Sequence, residues 1–284
     1  MAVERIRKAL DQAEKVRAAQ GNAAKNIDKS GEDIGSASRP LLDQSTQSSP
    51  MNYSRTKVVD VSQSVLEKNR LVAALAGHEL TDAYRILRTR VLQSMNKNDW
   101  HTLAITSPAS GAGKTLTAIN LSISLAREVN RTVLLVDFDL RRPSVHSYFG
   151  YDPEYGLSDY LFGDIELESI LFSPSIDRLV ILPGRESVHN SSEMLRSPKM
   201  VALVEELKSR YSDRLIIIDL PPILAVDDAL AFAPFVDSML MVVENGATKK
   251  EDLEKAMALL KNVPLVGTVL NKSEGAYFDS YGKS

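Results

Sequence analysis

The run LAITSPASGAGKT at Leu103–Thr115 decides how this chain is read. Leu103–Thr106 is a short apolar segment suited to a buried strand, and the LTAINLSISLA that follows Thr115 has helical spacing. A strand, a glycine-bearing turn and a helix N-terminus together make an anion site, because the turn's backbone N–H groups converge where the helix dipole is positive. Gly111 and Gly113 permit backbone conformations and a close approach that side chains would forbid. Lys114 is placed to put a cation on the β- and γ-phosphates, and Thr115 offers its hydroxyl to Mg²⁺. Ala112 and Leu116 complete the cradle around these two residues. The consensus for such a loop asks for glycine at position 108, where this chain has Pro108. The segment is expected to bind ATP with Mg²⁺.

Two further strand ends carry carboxylates. Residues 132–143 read TVLLVDFDLRRP, and residues 215–222 read LIIIDLPP. Asp137, Asp139 and Asp219 therefore close fully apolar strands, an expensive placement unless a cation or hydrogen bonds meet them. Any one of them could simply cap the loop that follows. Three of them beside a phosphate loop point to a shared Mg²⁺–nucleotide site. Arg141 and Arg142 are either phosphate contacts or strand-end ion-pair partners.

Working outward, strands are expected at Leu103–Thr106, Thr132–Asp137, Leu179–Leu182, Leu215–Asp219, Ser238–Val243 and Leu265–Leu270. Most are runs of Val, Ile and Leu without alternation, as in strands covered on both faces. Helices are expected at Glu79–Met95, Thr115–Val129, Pro198–Tyr211 and Lys249–Lys261. This alternation implies an α/β fold of the P-loop NTPase type, mostly parallel, with helices on both faces and its site at the carboxyl ends of the strands.

Residues 1–20 read as an amphipathic helix, with Val3, Ile6, Leu10, Ala13 and Val16 at helical spacing among an excess of basic residues. It is either a solvated helix or one that docks on a partner or a membrane surface. Residues 21–55, rich in Ser, Gln, Asn, Asp, Gly and Pro, read as a flexible linker. Residues 56–276 form the nucleotide-binding domain, and 277–284 a tail.

The bulk numbers fit this plan. With 44% hydrophobic and 25% charged residues, the chain can bury one large core, or a core plus an arm. A net charge of −3 gives no general footprint for nucleic acid, and none is expected as a partner. The absence of cysteine removes disulfides and thiolate metal sites and suits a reducing cytoplasm. No apolar run approaches the roughly 20 residues that span a bilayer, and the charged N-terminus does not resemble a signal peptide.

ITSPASGAGKT, LLVDFDLRRP and IIIDLPP resemble the Walker A, Walker A′ and Walker B motifs of bacterial tyrosine kinases. These kinases share a P-loop branch with the MinD/ParA ATPases. Those ATPases carry a second lysine five residues before the loop lysine, and the equivalent here is Ala109. The resemblance covers the chain from about Glu79 onward. It implies that Lys114 and the loop amides hold phosphates, that Thr115, Asp139 and Asp219 hold Mg²⁺ or its waters, and that Asp137 orients and deprotonates an incoming tyrosine. The roles of the three aspartates are interchangeable at this stage. A tyrosine hydroxyl has an ordinary pKa near 10, so its attack needs such help.

The same resemblance assigns Asn271, in VLNK at 269–272, to the adenine, although an Asn after a strand is also an ordinary turn residue. It matches Asp82, Arg85 and Arg88 to a helix through which these kinases contact neighbours in a homo-oligomeric ring. A solvated salt-bridged face would look the same. The tail GAYFDSYGKS offers Tyr277 and Tyr281 as autophosphorylation sites. NSSEML at 190–195 is similar to a family loop with Pro at the position of Ser191.

By family likeness the chain is expected to be a cytoplasmic tyrosine autokinase regulating capsular or exopolysaccharide export. A membrane chain-length-determinant-type partner would activate it and recruit it to the inner face of the membrane. The alternatives are a MinD/ParA-like ATPase switch and a non-catalytic nucleotide-binding module.

Overall fold

The computed structural model describes residues 56–128, 131–209 and 214–273. The expected helix at 1–20, the linker at 21–55 and the tail with Tyr277 and Tyr281 lie outside the described residues.

The strands are β1 (Lys57–Val58), β2 (Thr102–Thr106), β3 (Thr132–Asp137), β4 (Phe172–Ser173), β5 (Leu179–Leu182), β6 (Arg214–Asp219), β7 (Ser238–Glu244) and β8 (Leu265–Asn271). They form one sheet in the order β1-β4-β5-β3-β6-β2-β7-β8. Every expected strand is present, and every pairing is parallel except β4 against β5, which meet antiparallel at Phe172 and Ile181. The two-residue strands β1 and β4 were not legible in the sequence, because two residues cannot show a period.

The α-helices are α1 (Gln63–Lys68), α2 (Thr81–Asn98), α3 (Lys114–Ala126), α4 (Val145–Tyr148), α5 (Leu157–Phe162), α6 (Leu167–Ile170), α7 (Ser191–Leu195), α8 (Pro198–Ser209), α9 (Asp228–Phe232) and α10 (Lys250–Leu259). The pleat divides the sheet's side chains between two cores. Leu134, Val136, Ile216, Ile218, Met239 and Met241 face one, which is closed by α8 and α9 through Leu203, Leu207 and Phe232. Val133, Leu135, Leu215, Ile217, Leu240 and Val242 face the other, under α2 and α3.

α3 begins directly at the phosphate loop and is buried along almost its whole length. Its one amide side chain, Asn120, is fully satisfied: Oδ1 accepts from the Ala73 N–H, and Nδ2 donates to the Arg70 and Leu116 carbonyls. The helix ends at Ala126 rather than at the expected Val129. Arginines from elsewhere meet the polar groups at this end: Arg88 donates to the Ser124 carbonyl at 3.0 Å and Arg178 to that of Glu128 at 2.8 Å.

Candidate active site

Three adjacent strands, β3, β6 and β2, bring the motifs together. In the β3–β6 register Asp137 is the partner of Asp219, and in β2–β6 Ile105 pairs with Asp219. The loop after β2 is stitched to the segment after β6. The Ile223 N–H donates to the Ser107 carbonyl at 2.9 Å, the Leu224 N–H to that of Pro108 at 3.3 Å, and the Thr106 hydroxyl to that of Pro221 at 2.8 Å.

Within the loop only Gly111 (φ +87°) and Gly113 (φ +90°) are left-handed. Position 108 is not, so proline is tolerated there. Gly113 is also hemmed in, since a Cβ on it would collide with the Asn271 side-chain amide. Asn271, the last residue of β8, donates Nδ2 to the Ala112 carbonyl at 2.9 Å. Its side chain thus braces the phosphate loop from a strand end.

Lys114 Nζ is the hub of the site. It lies 2.8 Å from Asp139 Oδ2 and 3.5 Å from both Asp219 oxygens, and it donates to Thr115 Oγ1 at 3.2 Å. Thr115 in turn donates to Asp219 Oδ2 at 2.6 Å. Burial works against the lysine's charge, but Asp219 and Asp139 more than offset it, and its pKa is pushed up to about 12.

The three aspartates differ in setting. Asp219 is fully buried, and burial raises its pKa despite Lys114 and Thr115. Asp139 lines the cleft, and its Oδ1 accepts the Arg142 N–H at 3.1 Å. Asp137 is fully buried. Its Oδ2 accepts the Ser144 and Val145 N–H groups at 2.8 and 2.9 Å, while Oδ1 has no partner. Burial and the neighbouring Asp219 push its pKa up to about 7.

A cleft of about 570 Å³ opens over this cluster. Its lining includes Lys114, Thr115 and Asp139 together with Arg141, Arg142, Ser144 and Tyr148, while Asp137 and Asp219 are buried outside that lining. Among the described residues no group of three or more His, Asp or Glu forms a ready-made metal cage. That is compatible with Mg²⁺, which keeps waters and takes one or two carboxylates along with substrate phosphates. The hard oxygens of Thr115, Asp139 and Asp219, with the orphaned Oδ1 of Asp137 nearby in register, fit such an ion.

The expected contact helix is divided. Asp82 and Arg85 form an exposed pair at 2.8 Å. Arg88 turns inward to the Ser124 carbonyl and lies 3.1 Å from Glu128. Helical spacing put the three on one face and could not show that the third is committed to α3. Asp228, which no sequence motif flagged, is fully buried at the start of α9 and pairs with Arg141 at 3.2 Å. Its only signal was a second acid in the run AVDDA, and adjacent acids are ordinary at helix starts.

The parallel sheet, the glycine loop at the head of α3 and the lysine–carboxylate cluster define a P-loop nucleotide-binding domain. Residues 100–273, more than half of the chain, match the family described as AAA domain. The tyrosine-protein kinase YwqD of Bacillus subtilis is 31% identical over 204 residues, covering 71% of this chain and 85% of its own. The chain belongs to the bacterial tyrosine kinase family of P-loop proteins. Among solved structures, the chimerical protein CapA2B2 superposes with a TM-score of 0.67 at 27% identity, covering 77% of this chain and 94% of its own. The septum site-determining protein MinD from Pyrococcus horikoshii, complexed with Mg-ADP, gives 0.52 at 28%, covering 61% and 72%. Longer relatives match as well, and the chain spans only 27% and 30% of the length of two of them.

Proposed function

We propose that the chain is an ATP-dependent protein-tyrosine kinase that phosphorylates copies of itself and regulates capsular or exopolysaccharide export. The observation that carries this is the convergence of Lys114, Thr115, Asp139 and Asp219 within 3.5 Å at the mouth of the phosphate loop. Family membership and Ala109 in place of a second loop lysine favour phosphoryl transfer to tyrosine over a MinD-like ATPase cycle.

In this reading the loop amides and Lys114 bind the triphosphate, while Thr115, Asp139 and Asp219 would hold Mg²⁺, which would supply neutralisation of phosphate charge. The acceptor tyrosine oxygen bonds to the γ-phosphorus as the bond to the bridging β,γ oxygen breaks, and ADP leaves. The phenolic proton goes to Asp137, whose unpartnered Oδ1 and near-neutral pKa suit a base. Positioning and charge neutralisation supply most of the acceleration.

Tyr277 and Tyr281 are the proposed acceptors, and the exposed Asp82–Arg85 pair is the proposed ring contact. By family likeness a membrane chain-length-determinant-type protein is the activator that recruits the kinase, with residues 1–55 as a tether. Among the described residues no helix is long and apolar enough to cross a membrane.

The test is incubation of purified protein with Mg²⁺–ATP, with and without membrane partners, and phosphosite mapping by mass spectrometry beside Lys114→Met. Phosphotyrosine lost in Lys114→Met and strongly reduced in Tyr277→Phe/Tyr281→Phe is expected. Steady phosphate release without phosphotyrosine would replace the kinase with an ATPase.

A further inference from the structure

Asp228 is a fully buried carboxylate outside the three motifs. Its Oδ1 accepts from Arg141 Nε at 3.3 Å and Nη2 at 3.2 Å, and its Oδ2 is buried without a partner. A half-satisfied buried carboxylate is a poor source of stability, because desolvation offsets much of the attraction to one cation. What the pair does achieve is placement. Arg141 lines the cleft, with its side chain 38% exposed, and two of its nitrogens are spent on a single oxygen beneath it.

Its backbone is fixed as well. The Ser187 hydroxyl donates to the Arg141 carbonyl at 2.7 Å, and the Val188 N–H donates to that of Leu140 at 2.7 Å. Arg141 lies two residues after Asp139, the carboxylate that touches Lys114, and it lines the same cleft as Lys114 and Thr115 of the phosphate loop.

We infer that Asp228 is a positioning residue that holds the Arg141 guanidinium against the terminal phosphate of a bound nucleoside triphosphate. Arg141 is then a second cation for the transferred group, in addition to Lys114. A guanidinium suits this because its fork can satisfy a buried carboxylate with one edge and a phosphate with another. The inference rests on the nucleotide-binding reading of the cleft and is independent of which acceptor receives the phosphate.

The experiment is calorimetric titration of the β,γ-imido analogue of ATP and of ADP, with Mg²⁺, into wild type, Arg141→Ala, Asp228→Asn and the double variant. Loss of one charge-assisted contact should lower the affinity for the analogue relative to ADP by about tenfold. Asp228→Asn should reproduce the Arg141→Ala loss, and the double variant should lose no more than either, since both remove one interaction. Additive losses would overturn the proposal. So would an Asp228→Asn protein that keeps the wild-type ratio, or one that loses both nucleotides equally. If Asp228→Asn does not fold, Arg141→Ala decides, because its head is partly exposed: an unchanged ratio overturns the proposal and a tenfold fall supports it. Wild-type binding without phosphotyrosine would sink the kinase reading and leave this result standing.

Discussion

The Thr115 hydroxyl donates to Asp219 at 2.6 Å, joining residues 104 positions apart in the chain. One is the second residue of the helix after β2, and the other is the last residue of β6. The bond orients both oxygens that the proposed Mg²⁺ requires. Thr115→Ala should reduce phosphotyrosine formation about 100-fold, on the scale of losing one preorganised catalytic group. Thr115→Ser should restore most of it. Initial rates over a Mg²⁺ titration check this, and an alanine variant with wild-type rates would remove Thr115 from the site.

The two loop glycines should respond differently to alanine. Both have φ near +90°, which costs an L-residue roughly 1–2 kcal/mol. An added Cβ at Gly111 meets open space, whereas at Gly113 it collides with the Asn271 amide. Gly113→Ala should therefore weaken nucleotide binding more than Gly111→Ala does. Pairing Gly113→Ala with Asn271→Ala should restore only part of the affinity, because the backbone strain persists. Calorimetry with ADP reads all three.

Arg85 and Arg88 should separate in function. Arg85 pairs with Asp82 in solvent, where an ion pair contributes about 0–1 kcal/mol, so Arg85→Ala should leave stability unchanged and lower the oligomer mass. Arg88→Ala removes the donor to the Ser124 carbonyl and should cost about 1–3 kcal/mol in urea unfolding. Equal behaviour of the two variants in light scattering and unfolding would contradict the divided face.

Asp237 should confer an acid-sensitive part of the stability. Its Oδ2 accepts the His101 and Thr102 N–H groups, each at 2.9 Å, joining the entries of β2 and β7. Burial alone would raise its pKa, but these amides and Lys208 more than offset that and hold it below the usual value. A depressed folded-state pKa gives stabilisation that is complete above the unfolded pKa of about 3.9 and lost as pH falls through the folded value. Asp237→Asn should be less stable than wild type by about 1 kcal/mol at pH 7, a solvent-screened figure, and the gap should close in acid once pH falls below the depressed folded-state value. Urea unfolding at the two pH values measures it. A gap that persists in acid would assign the effect to packing.

The strands of the sheet's centre were legible because they are short apolar runs without alternation, such as Leu215–Ile218, which buries both faces at once. The helix after the loop was equally plain, since LTAINLSISLA repeats its apolar residues at helical spacing. Its end was not, because arginines from α2 and from the turn before β5 serve the carbonyls there.

By itself the sequence determined the P-loop segment, the aspartates at the strand ends, the parallel sheet and the family. These are local patterns of burial and turn chemistry, written in neighbouring residues. Only the tertiary structure decided that Asp137 sits beside Asp219 and is sealed by Ser144 and Val145, that Asn271 braces Ala112, that Arg88 turns to α3, and that Asp228 seats Arg141. Each of those pairings depends on how strands, helices and loops pack across the fold. A chain read in one direction specifies what each segment buries, and only the packed sheet specifies which side chain stands opposite which.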